Sequence, residues 1–109
     1  MTVKQLCEDA GLKIITGDAL DTEVSGVYAC DLLSWVIGRA EEKAALVTVM
    51  TNVNVVAVAA MADLSCVILT EGVRPDENAL LKAQDNGIIL LSTDMTTYET
   101  CAALSKYFN

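Results

Sequence analysis

At 109 residues, 53% of them hydrophobic and 20% charged, with one proline, the chain has the size and composition of a single folded domain over residues 1–109, which excludes a disordered or fibrous polypeptide. Fifteen acidic against seven scattered basic residues leave a net charge of −8; this repels phosphate backbones and offers no basic cluster to a bilayer, so neither nucleic acid nor a membrane is an expected partner. Histidine is absent, which excludes imidazole triads and imidazole-based acid/base chemistry, so the chain reads as a non-enzyme without a cofactor.

Thr2 and Gln5 have the spacing of a capping box, and Gly11 stands where a helix would end, which predicts a first helix over residues 3–10. Short strands are predicted at 13–16 and 26–30, separated by the polar Gly17-Asp18 and Asp21-Thr22-Glu23 stretches. Asp31 is placed to cap a second short helix through Leu32, Leu33, Trp35 and Val36, ending near Gly38.

Three apolar runs rich in Val, Ile and Leu, at 46–50, 66–69 and 88–91, start 20 and 22 residues apart. That is the spacing of strand and helix in alternation, and runs apolar on both faces suit parallel strands covered on both sides by a right-handed βαβαβ unit. Thr51 or Asn52 would cap the helix carrying Val55 to Ala62, and Asp76 and Glu77 would open the next, which stops at Asn86-Gly87. Thr96 with Glu99 forms a second capping box, and the last helix would place Cys101, Leu104 and Phe108 on one side. The predicted fold class is α/β, in three layers, with a mostly parallel sheet flanked by helices.

Two stretches bear on location and assembly. The nineteen residues from Ala44 to Ala62 carry no charge, yet Thr48, Thr51, Asn52 and Asn54 fall in their middle, so strand, turn and helix explain them better than a membrane span. Val55 to Ala62 is apolar all round, and its second face needs a cover from this chain or from another copy; the shortness of the chain favours a homodimer or higher oligomer. The four cysteines show no C-x-x-C spacing, and the opening Met-Thr-Val-Lys has no apolar signal, so reduced core thiols and a cytoplasmic protein are expected. Cys30, beside Asp31 and Trp35, reads as packing rather than as a reactive thiol.

In a parallel sheet, ligands settle beyond the carboxyl ends of the strands, where three polar segments would meet. They contribute Thr51, Asn52 and Asn54; Thr70, Gly72 and Arg74; and Ser92, Thr93 and Thr96, as candidate ligand-binding residues for a small anion. The same residue types also serve as ordinary helix caps and turn formers, and Asp94 would oppose an anion. No phosphate-loop or dinucleotide glycine spacing occurs in the chain.

The stretch from Thr51 to Leu104 resembles the DRTGG domain family, most tellingly in VILTEGVRPDE at 67–77 and ILLSTDMTTYET at 89–100. Upstream, LDTEVSGVYACDLLSWVIG at 20–38 is similar to the family's first half, while the five-letter signature itself is replaced by DTEVSG at 21–26. The resemblance implies a fold like the amino-terminal domain of HPr kinase/phosphorylase and company beside CBS domains in pyrophosphatases. It also implies a role in regulation or subunit association, and carries over no catalytic residue. The expected function is therefore a non-catalytic regulatory or assembly domain that self-associates and senses a small anionic or nucleotide-type ligand, with a second copy, an anionic metabolite and a partner enzyme as its partners. A component of a serine kinase or other phosphate-transfer system, and an adaptor without ligand, are the alternatives.

Overall fold

The computed structural model describes residues 1–108; Asn109, the last residue of the expected domain, lies outside the described residues. In chain order the elements are α1 (Val3–Ala10), β1 (Lys13–Thr16), β2 (Val27–Ala29), α2 (Leu33–Arg39), β3 (Ala45–Thr48), α3 (Val53–Met61), β4 (Cys66–Leu69), α4 (Glu77–Asn86), β5 (Leu90–Ser92) and α5 (Thr97–Ser105). One five-stranded sheet has the order β1-β5-β4-β3-β2, in which β2 to β5 run parallel and β1 pairs antiparallel with β5 at one edge.

Because successive side chains of a strand point to opposite faces, the fully buried runs ALVT and CVIL feed two cores at once. Leu46, Val67, Leu69 and Leu90 pack with α2, α3 and α4, through Val36, Val55, Val56, Ala79 and Ala83. Ala45, Val47, Cys66, Ile68 and Leu91 pack on the other face with Val3 and Leu6 of α1 and Leu104 of α5. The three-layer α/β expectation holds, with three helices on one face and two on the other among the described residues.

Signals that close within a turn form as expected. Both capping boxes form: Thr2 with Gln5, and Thr96 with Glu99, where hydrogen bonds from the Thr96 backbone and side chain hold the Glu99 carboxyl below the usual range. α1 and α4 end at Gly11 and Gly87. The uncharged stretch 44–62 is β3, a turn and α3, and no helix among the described residues is long and apolar enough to cross a membrane.

Four details correct the sequence reading. Asp31 does not cap α2, whose start at Leu32 has no side-chain cap. Its carboxylate instead accepts the Thr48 hydroxyl (2.7 Å) and the Val49 N–H (3.0 Å), tying β2 to the end of β3. That withdrawal of Val49, with the Met50 N–H turned to the Thr48 hydroxyl, ends β3 at Thr48 rather than at residue 50. Similarly, the Ile88 N–H closes α4 on the Ala83 carbonyl and the Ile88 carbonyl accepts the Thr16 hydroxyl, so β5 starts at Leu90. Phe108 lies beyond α5, which ends at Ser105.

α3 is covered by its own chain along Val55, Val56, Val58 and Ala59, between α2 and α4, while Val53, Ala57, Ala60 and Met61 stay exposed. All four cysteines are free; Cys66 is buried and the other three are half-buried. Burial pushes the Cys66 thiol up to about 12, and burial also raises Cys7 and Cys101, so these thiols stay protonated and weakly nucleophilic at neutral pH.

Candidate functional site

The helices after β2, β3 and β4 all lie on one face of the sheet, whereas α5, after β5, crosses to the other. The connections therefore part between the carboxyl ends of β4 and β5, and a crevice opens at such a point in α/β sheets. A cleft of about 250 Å³ occupies it, lined by Lys13, Ile15, the segment from Gly72 to Pro75, Leu80, and the segment from Ser92 to Asp94.

β1 supplies one wall for a topological reason. Running antiparallel to β5, it brings its first residue beside the last residue of β5, with Lys13 opposite Ser92. The lone antiparallel strand thus delivers a cation to the end of the sheet where the parallel strands finish. Arg74 comes from the loop after β4, and neither Lys13 nor Arg74 forms an ion pair among the described residues. Thr93 is 7% exposed; its hydroxyl oxygen accepts the Met95 N–H at 3.2 Å, which leaves its own proton to donate. Ile15, Val73, Pro75 and Leu80 are half-buried and give the cleft an apolar side.

The loop forming the rim is a tight turn of unusual backbone. Glu71 and Gly72 have φ of 62° and 71°, the pattern of a type I′ turn, closed by the Val73 N–H on the Thr70 carbonyl (3.2 Å). Glutamate rarely adopts that region. It is held there by three bonds: its N–H to the Met95 carbonyl (2.8 Å), the Gly72 N–H to the Thr93 carbonyl (3.1 Å), and its carboxylate to the Thr97 N–H at the start of α5 (2.8 Å).

Of the nine candidates named from the sequence, Gly72, Arg74, Ser92 and Thr93 line the cleft. The other five do not, and four of those have engaged side chains. Asn52 caps α3 through the Asn54 N–H, Thr51 donates to the Asp76 carboxylate (3.4 Å), Thr70 shares a hydrogen bond with Thr97 (2.7 Å), and Thr96 caps α5. Asn54 is exposed in the first turn of α3. The amino ends of α3 and α5 therefore spend several of their amide donors internally. Lys13 and Ile15 were not foreseen, because nothing local in the sequence pairs β1 with β5; Pro75 and Leu80 lie just past the segment from Thr70 to Arg74, within which Val73 already fell.

The sequence model of the DRTGG domain matches residues 5–107. The chain belongs to the DRTGG domain family. Among solved structures, the fold is similar to the CBS and DRTGG regulatory region of Clostridium perfringens pyrophosphatase, solved with its activator, diadenosine tetraphosphate. The TM-score is 0.74 at 10% identity, over 98% of this chain and 47% of that one. This DRTGG chain thus spans about half the length of that regulatory region, and the likeness is one of fold. No curated protein matches its sequence.

Proposed function

We propose that this DRTGG domain is a non-catalytic regulatory module, residues 1–109 forming one domain, which binds a small anion in the cleft at the ends of β4 and β5, associates with a second copy of itself, and acts on a partner enzyme in the cytoplasm. The observation carrying the ligand half is the pair of cations, Lys13 and Arg74, which form no ion pair among the described residues and outnumber the one carboxylate of the cleft, Asp94, on a protein of net charge −8. A positive pocket on an acidic surface concentrates anions where the rest of the molecule repels them. The regulatory half draws support from the likeness to a pyrophosphatase regulatory region that was solved with a nucleotide activator. The lack of histidine and the protonated state of Cys7, Cys66 and Cys101 favour sensing over catalysis.

Titration with inorganic phosphate or pyrophosphate at low ionic strength is expected to raise the thermal midpoint by several degrees, since a ligand at 100 times its Kd stabilises by about 2.7 kcal/mol. The variant Lys13→Gln with Arg74→Gln is expected to lose that rise while keeping its own midpoint within about 2 °C, because exposed charges contribute little to stability. An equal rise in wild type and double variant would place the anion elsewhere.

Self-association draws on the exposed apolar side chains of the three-helix layer: Trp35 and Ile37 on α2, Val53 and Met61 on α3, Leu81 on α4, of which Met61 is 70% exposed. Sedimentation at micromolar concentration is expected to give a dimer or larger species, and Met61→Glu with Leu81→Glu a monomer. A wild-type monomer at that concentration would remove the assembly half of the reading.

A further inference from the structure

Resting on that reading of the cleft, we infer that its ligand is a compact organic phosphate monoester, whose phosphate sits between Lys13 and Arg74 and whose apolar body lies on Ile15, Val73 and Leu80.

Charge selects the head group. Of seven basic side chains, Arg39 stacks on Trp35 (3.7 Å to the ring centre), Lys106 lies over Tyr107 (5.2 Å), Lys43 pairs with Asp63 (3.2 Å), and Lys4 on α1 and Lys82 on α4 stand apart from the cleft. Lys13 and Arg74 share one cleft instead, whose lining also includes Ser92 and Thr93. Two cations match a dianion, and hydroxyl donors add directional bonds to a tetrahedral group. Asp94 on the same rim sets an upper limit. Its carboxylate stands 3.3 Å from where a Cβ on Gly72 would be, so a chain of several phosphates leaving the cleft past this turn would meet a like charge.

The walls select the body. Ile15, Val73, Pro75 and Leu80 make one side of the cleft apolar, and a bare anion held by the two cations leaves that surface uncovered. A ligand with its own apolar group buries that surface, at roughly 25 cal/mol per Å². Size completes the argument: about 250 Å³ lies just under the ~300–1,000 Å³ of pockets that enclose drug-sized ligands, so the body is on the scale of a single ring.

Calorimetry with four probes tests this on the whole chain: inorganic phosphate, phenyl phosphate, benzoate and phenol. Phenyl phosphate is expected to bind at least tenfold more tightly than each of the other three. Leu80→Gln and, separately, Val73→Thr are expected to weaken phenyl phosphate by a larger factor than inorganic phosphate, narrowing the gap between the two; the second variant, in a loop, guards against a folding defect in the first. Inorganic phosphate binding as tightly as phenyl phosphate would overturn the inference and leave an anion site standing. Benzoate binding best would replace phosphate with carboxylate. Failure of both phosphate probes would end this inference and the anion-binding reading together.

Discussion

Gly17→Ala is expected to lower unfolding stability by about 2–5 kcal/mol, a large share of the ~5–15 kcal/mol of an ordinary domain. Gly17 has φ of 97°, where a side chain costs on the order of 1–2 kcal/mol of local strain. Its position also leaves no room: a Cβ would stand 2.6 Å from Ile89 Cγ1 and 3.0 Å from Ile89 Cα. Ile89 is 3% exposed and belongs to the α1/α5 core, so neither it nor its backbone can step aside without disturbing β5, and overpacking of this kind costs roughly 1–3 kcal/mol more. Urea denaturation of Gly17→Ala beside Gly26→Ala measures this, since a Cβ at Gly26 meets nothing within 4 Å. Equal midpoints for the two variants would mean that β1 does not close down on β5 as described.

Thr16→Val is expected to cost about 2–4 kcal/mol although it preserves shape. At Thr16 the antiparallel register slips between Ile14 and Thr16, and the hydroxyl repairs the gap by donating to the Ile88 carbonyl (2.8 Å) and accepting the Leu90 N–H (3.1 Å). Thr16 is 5% exposed, so valine would leave the buried Leu90 N–H without a partner, at roughly 1–3 kcal/mol, and the partly buried Ile88 carbonyl likewise, at about 1 kcal/mol. Thr16→Ser keeps the hydroxyl and loses one methyl, and is expected to cost about 1 kcal/mol. Chemical denaturation of both variants decides: a serine variant as unstable as the valine one would show that packing, not the hydroxyl, holds the slip. The valine variant is also expected to bind phosphate more weakly, because the repair fixes the strand that carries Lys13.

These two positions also mark where reading the sequence succeeds and where it stops. Patterns that close within a turn or two were legible: the Thr2/Gln5 and Thr96/Glu99 boxes, the ends at Gly11 and Gly87, and the run Cys66–Leu69, apolar on both faces because both faces are covered. Asp31 misled because an acid before a helix has the form of a cap, while its actual partners, Thr48 and Val49, arrive from the next strand. The cleft was half legible. Gly72, Arg74, Ser92 and Thr93 follow from the rule that parallel strands end together, but Lys13 depends on an antiparallel pairing between segments far apart, such as Thr16 and Ile88 at a separation of 72. No local pattern encodes that register.

The turn at Glu71 and Gly72 belongs to two neighbourhoods at once. Gly72 edges the cleft on the α4 side, while the Glu71 carboxylate grips the first amide of α5, whose body lies under the opposite side of the sheet. Those two residues are neighbours along a backbone held in a rarely populated conformation, so the position of one fixes that of the other. The rim of the cleft and the start of the helix beneath the sheet are thereby fastened to each other directly, by the Glu71 carboxylate and by the hydroxyl pair of Thr70 and Thr97, as well as through the strands between.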